Sequence, residues 1–411
     1  MTEPTARGPV ARMLGVAGTA VREVRPAATL ALLFTVASTG VIIPVLRLLV
    51  EQSGHGTGGA ALFTAAHVAG GVVGAAFGAR ALRRAGSARR LAVVSLIASV
   101  AVTLAMAAVV SLELRLALRF LDGGCHLLAI TALVATATAG ELEQRARRAV
   151  TAGQTIVLGI IGGLGIGGRF GQPAAALVMA AVMSAVALVV VLVGVAAERP
   201  EPAPARGSRD RGPIAPGLLA FCERFSFGSM TVAMPFLAAP PHVGLVLGMF
   251  MTASFFAMLA AWGYAPGLGP RKLAVRSSLA FTFALAAAAA VDVAGSAGAA
   301  VAWALVAGAA AGSLYVSALV LATRSADLEG RARGMATVHA AGSAGHALGA
   351  LSAGTLMSAL PGMLVIAVPG VAVIVAATIG VWLTVPDAVN DCPVIGGLDA
   401  APAPARRTPP T

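Results

Sequence analysis

The feature that most constrains this chain is a spacing. Apolar stretches of about 20 residues recur twelve times, and the charges gather in short breaks between them. Twelve helical spans are expected near 27–49, 59–79, 91–111, 116–138, 150–168, 174–196, 216–238, 243–263, 273–294, 299–321, 335–357 and 363–385. Charged residues make up 11% of the chain, against about 25% in soluble domains. A chain with so little polar surface belongs in a bilayer. The fold class expected is an all-α membrane protein of 12 transmembrane helices.

The breaks carry an orientation signal. Of the 29 basic residues, 24 fall in the two ends, the central break and the breaks after spans 2, 4, 8 and 10. The other five are Arg47, Arg115, Arg119, Arg169 and Arg224. Cytoplasmic loops collect Lys and Arg, so the sequence places both termini in the cytoplasm of a multi-pass protein of the cell membrane. The same count accounts for the net charge of +12 without a nucleic-acid partner, since no basic helix or aromatic-studded patch accompanies it. Three cysteines, Cys125, Cys222 and Cys392, show neither a disulfide framework nor metal-like spacing. The scattered charges of the N-terminal segment are unlike a cleaved signal peptide.

Composition divides the chain. Residues 1–26 form a cytoplasmic lead, and 27–196 a first six-helix bundle. Residues 197–215, rich in Pro, Arg and Gly, form a cytoplasmic linker. A second bundle covers 216–385, and 386–411 reads as a disordered cytoplasmic tail. The halves echo each other. ARRLAV at Ala88–Val93 matches PRKLAV at Pro270–Val275, and QRARRAV at Gln144–Val150 matches GRARGMA at Gly330–Ala336. Each match follows the equivalent span, which indicates a duplicated six-helix unit of the kind secondary transporters use.

Inside the apolar runs a few polar residues stand out. RFLDGGCH places Arg119, Asp122 and His126 at i, i+3 and i+7, one helix face and a polar stripe roughly 10 Å long. Ionisable groups at membrane depth are costly, so the stripe is assigned to substrate or proton coupling, against the simpler reading of a snorkelling Arg119 paired with Asp122. In the seventh span, Glu223 and Arg224 are adjacent and point about 100° apart. They suit either an inner-gate salt bridge to a neighbouring helix or the same coupling role. His339, Ser343 and His346 lie on one face of span 11, and His67 lies in span 2; with Phe227 they are assigned to the cavity lining, against the simpler and commoner readings of interhelical hydrogen bonds for the histidines and aromatic packing for Phe227. Glycine runs at 70, 74 and 78, at 159, 163 and 167, and at 345 and 349 suit close helix packing.

These features resemble the major facilitator superfamily, over about residues 27–385. Its signature after the second helix is approached by Gly78, Arg83, Arg89 and Arg90, with Leu82 in the place of the family's acidic residue. Gly269, Arg271 and Lys272 match the tail of the motif in the second half, and Arg119 with Gly123 matches the family's fourth-helix motif. Span 5 lacks the Gly-Pro pair typical of the family's proton-coupled exporters. The resemblance implies two pseudo-symmetric six-helix bundles, Arg119 turned towards a central cavity, and gating by the loops that hold the matched Gly, Arg and Lys residues.

No enzyme is expected: GGLGIGG at Gly162–Gly168 lies inside an apolar helix, without the strand that a dinucleotide loop needs. No cofactor and no metal is expected either. The expected function is secondary active transport of a small amphipathic organic molecule by a monomer in the lipid bilayer, with proton-coupled efflux favoured. Uptake of a small organic solute, or a non-transporting membrane scaffold or sensor, are the alternatives.

Overall fold

The computed structural model describes residues 25–138, 142–196, 214–264, 270–322 and 328–385. The expected lead, linker and tail lie almost wholly outside the described residues, as does Gly269.

Among the described residues, twelve helices run back and forth. The first half holds α1 (Pro26–Glu51), α2 (Thr57–Ala85), α3 (Ala88–Ala108), α4 (Leu112–Thr138), α5 (Leu142–Gly167) and α6 (Pro173–Gly194). The second holds α7 (Ile214–Leu237), α8 (Pro240–Tyr264), α9 (Arg271–Ala294), α10 (Ala297–Ala322), α11 (Leu328–Leu356) and α12 (Leu364–Thr384). Each coincides with one expected span. Nine of them are long and apolar enough to cross a membrane; Thr151–Gly167 of α5 is a shorter apolar helix. α2, α5 and α11 run well past the expected span at one end, because Arg and other helix formers continue the helix beyond the apolar stretch.

Local chemistry explains the interruptions. Pro44 cannot donate a backbone hydrogen bond, and α1 passes there through a 3-10 turn, Ile43–Val45. Between α2 and α3 two residues reverse the chain. Gly86 takes the left-handed conformation (φ 72°) that ends α2, and the Ser87 side chain accepts from the Arg90 N–H to begin α3.

The two halves pack by one plan. In the first, α1 packs on α5 and α6, α2 on α4, and α3 on α4 and α6. In the second, α7 packs on α11 and α12, α8 on α10, and α9 on α10 and α12. Between the bundles the main contacts are α2 with α11 and α5 with α8, which exchange under the same two-fold relation. The duplicated loops obey it too. Arg89 donates to the Leu192 carbonyl at the end of α6 (2.7 Å), and its counterpart Arg271 lies over the Trp382 ring at the end of α12 (5.2 Å).

The glycine runs do the packing expected of them. A Cβ on Gly70 would stand 1.8 Å from the Phe120 carbonyl oxygen of α4, and one on Gly123 would stand 1.9 Å from that of His67. Gly159, Gly163 and Gly167 meet the backbone of α1, while Gly345 and Gly349 meet that of α7. In a bilayer, where tails are as apolar as side chains, such backbone approach is what dispersion forces reward. Serine and threonine hydroxyls inside the helices bond back to carbonyls one turn earlier, as Thr136 does to Ala132 (2.9 Å).

Here the end of the molecule where α1 begins and α12 finishes is called the terminal end, and the opposite one the distal end. The bundles meet at the distal end. There Gly168 and Gly244 bring α5 and α8 together, and Thr57 Oγ1 donates to the Gly354 carbonyl between α2 and α11 (3.2 Å).

Candidate functional site

The glycine seam between α2 and α4 brings the polar residues of both helices to one depth. Gly123 sits against the His67 backbone, so the flanking Arg119, Asp122 and His126 gather around the His67 ring. Arg119 Nη1 donates to Asp122 Oδ2 at 2.6 Å, and His67 Nδ1 lies 3.4 Å from the same oxygen. From α3, Ser99 Oγ donates to Asp122 Oδ1 at 2.8 Å and Thr103 Oγ1 lies at 3.5 Å. The His67 and His126 rings are 5.5 Å apart, and His126 Nε2 bonds Thr39 Oγ1 of α1 at 3.2 Å. The Arg119 guanidinium lies over the Phe63 ring, 5.1 Å from its centroid. Four helices thus contribute to one buried cluster around a single carboxylate. Snorkelling does not describe Arg119, which is buried inside the bundle.

The second half holds its own pair. Glu223 and Arg224 turn back on each other within α7, Arg224 Nε lying 3.1 Å from Glu223 Oε2. The expected bridge from either residue to a neighbouring helix is therefore not what this pair forms. The Arg224 guanidinium also covers the Tyr315 ring of α10, at 5.6 Å. Its side chain is 25% exposed against 6% for Glu223, so the cation faces open space and the anion lies behind it.

That space is a cavity of about 270 Å³ between the bundles. Of the residues singled out in the sequence, Arg119, His126, Arg224, His67, Phe227, His339, Ser343 and His346 line it; Asp122 and Glu223 stand behind its wall. Phe227 stacks on Phe250 (6.1 Å) and lies against His346 (5.7 Å). The residues expected from the sequence to gate lie elsewhere. Gly78 packs towards Thr131 of α4, Arg90 Nη1 donates to the Ala85 carbonyl (3.3 Å), and Lys272 is exposed at the start of α9. The Arg83 side chain lies outside the described residues.

Sequence reasoning missed Ser99, Thr103, Thr39, Phe63 and Tyr315. Ser99 and Thr103 did carry a signal, following Ser95 at one-turn steps along one face of an otherwise apolar span. Tyr315 is one of only two tyrosines in the chain. Arg115 was also passed over: it clamps the distal loops, donating to the Leu49 carbonyl at 2.6 Å and the Val109 carbonyl at 2.7 Å.

Comparison with known proteins finds no matching family model and no matching curated protein. Solved structures do match. A D-xylose-proton symporter superposes with a TM-score of 0.70 at 16% identity, over 89% of this chain and 98% of that one. A bacterial homolog of the human lysosomal transporter Spinster, inward-facing and occupied, gives 0.68 at 13%, over 88% and 96%. The nucleoside transporter NupG gives 0.64 at 13%, over 88% and 98%. With the duplicated bundles and the central cavity, these likenesses define the class of protein: a multi-pass α-helical membrane protein. Its fold is that of the major facilitator superfamily.

Proposed function

We propose that this chain is a secondary transporter, not an enzyme, and that as a monomer it moves a small organic molecule across the cell membrane by alternating access. The observation that carries the reading is the Arg119–Asp122 pair, with His67 beside it, buried at the wall of the cavity where two pseudo-symmetric bundles meet. The solved structures it resembles are of transporters, and one is of a proton symporter.

Asp122 is assigned to carry the coupled proton. As found, its charge is met by Arg119 in α4, His67 in α2 and the hydroxyls of α3, with His126 one turn away. A substrate that draws Arg119 towards the cavity strips the carboxylate of its cation. A buried carboxylate without a partner is costly, and binding a proton removes that cost. Substrate and proton occupancy are then linked through one side chain. Glu223 and Arg224 form a second pair of the same kind in the other bundle.

Access changes where the bundles touch. At the distal contacts Gly168, Gly244, Ala61 and Gly354 bring the backbones close, beside apolar side chains of α1, α7 and α8 that share one core. A seam of small residues between two bundles suits rocking of one against the other. The basic residues of the terminal-end loops support placing that end in the cytoplasm.

The test is transport of a labelled compound panel in cells with and without the protein, each with and without an uncoupler. Higher accumulation in cells that have the protein, lost with the uncoupler, is the result that joint occupancy by substrate and proton predicts, and it means uptake. Lower accumulation, reversed by the uncoupler, means export in exchange for protons. No protein-dependent difference for any compound defeats the reading.

A further inference from the structure

The two ion pairs are oriented alike with respect to the cavity. In each, the arginine lines it and the carboxylate stands behind. Arg119 comes from the first bundle and Arg224 from the second. Four imidazoles join them on the wall: His67, His126, His339 and His346. No Asp or Glu is among the described residues that line the cavity. The wall presents cations, imidazoles and hydroxyls among its apolar residues.

Two further observations point to a ligand. Arg119 is buried, and its Nε has no hydrogen-bond partner, although a guanidinium brings five donors. A buried donor left unpaired is costly unless something else meets it. His346 lines the same cavity as Arg224 and His67, so the basic groups of the two bundles share one space. The ring of Phe63 lies against Arg119 and that of Tyr315 against Arg224, with Phe227 between the bundles. Planar guanidinium forks beside aromatic faces suit a carboxylate or phosphate carried on an apolar body.

We propose that the cavity takes a small organic anion, a carboxylate or phosphate monoester with an apolar ring, held between Arg119 and Arg224. This rests on the transport reading and deepens it. The anionic group bonds both guanidiniums, the ring lies among Phe63, Phe227 and Tyr315, and neither carboxylate of the chain contacts it. A cation meets two arginines with no carboxylate in front of them. A neutral molecule leaves both charges uncompensated by the ligand. One anion joining the two bundles is also what links substrate occupancy to their movement, because each bundle supplies one of its two cations. The cavity is at the small end for ligand sites, which excludes polyanions such as nucleic acid.

The test is titration of the full chain in lipid nanodiscs with matched probes: benzoate and phenyl phosphate as anions, benzamide and phenol as neutral compounds, and benzylammonium as cation. At least one anion should bind tenfold or more tightly than the neutral probes, with benzylammonium weakest. Benzoate against phenyl phosphate decides which head group is preferred. Arg224→Gln should lose at least tenfold in anion affinity, while Arg224→Lys keeps part of it. Equal binding of neutral and anionic probes overturns the proposal, as does binding of no anion at millimolar concentration or anion affinity unchanged in Arg224→Gln. The wild-type comparison needs no variant to fold. Counterflow of the same probes in proteoliposomes separates the two readings. Anion binding without translocation keeps the site and defeats the transporter, whereas translocation of neutral probes without preference for anions does the reverse.

Discussion

Replacing Asp122 with Asn tests the coupling mechanism most directly. The amide keeps the shape of the carboxylate and nearly all of its bonding. Its oxygen still accepts from Arg119 Nη1, now at 2.6 Å from Asp122 Oδ2, and its N–H group meets the Ser99 hydroxyl oxygen, now 2.8 Å from Oδ1. What disappears is charge. For opposite charges about 4 Å apart, at an effective dielectric constant of about 20, the attraction is about 4 kcal/mol. Removing one partner of a buried pair costs about 3–5 kcal/mol. Asp122→Asn belongs at or below the lower end of that range, because the amide oxygen keeps the bond from Arg119 and the Phe63 ring still faces the guanidinium.

The larger effect is on energy conversion. One proton moving down a gradient of one pH unit supplies about 1.4 kcal/mol, a factor of ten in concentration. A wild-type cycle that carries one proton on Asp122 therefore builds a substrate gradient of about tenfold per pH unit in proteoliposomes without a membrane potential. Asp122→Asn should build none, while exchange of labelled for unlabelled substrate stays within about twofold of wild type, because the cavity keeps both arginines. Glu223→Gln is the control in the other bundle and should keep the tenfold gradient. A full gradient with Asp122→Asn refutes the assignment. Loss with Glu223→Gln alone moves the proton carrier to α7.

Three further outcomes follow from the geometry. Gly70→Ala places a methyl group against the Phe120 carbonyl and should force α2 from α4, lowering stability by about 1–3 kcal/mol or more; thermal unfolding in detergent measures it, and an unchanged Tm contradicts the packing described. Cysteines at Ala61 and Gly354, one on each bundle, should cross-link under mild oxidation and stop transport until reduced, once the two backbones part by the roughly 1–2 Å that brings their touching Cβ positions to the separation of about 4 Å in a disulfide. Cross-linking that leaves transport at wild-type rate is incompatible with opening at the distal end. Tags at Ser208 and at the C-terminus should report cytoplasm and one at Gly54 the outside; Ser208 and Gly54 on the same side would disprove the proposed orientation.

The twelve spans and the duplication were legible in the sequence because their cause is local and periodic. A bilayer demands about 20 apolar residues per crossing, whatever the neighbours are. Small-residue spacing likewise announced the packing faces of α2, α5 and α11, since positions four apart always share a helix face. The Arg119–Asp122 contact was visible too, as two residues three apart on one helix.

The partners of that pair depend on which helices meet, and only the tertiary structure decides that. His67 reaches Asp122 because Gly70 and Gly123 let α2 and α4 backbones touch, and Ser99 reaches it because α3 packs on the other side of α4. Nothing within α2 or α3 reveals these contacts, which join residues far apart in the chain. The sense of each ion pair is a matter of the assembled bundles as well. Adjacent residues such as Glu223 and Arg224 give no sign of which one faces the interior. The position of α7 beside the cavity sets Arg224 on its wall and Glu223 behind. Sequence periodicity thus determined the framework of a multi-pass membrane protein, while the arginines and histidines on its cavity wall were placed by long-range packing, which orients side chains that no local pattern can orient.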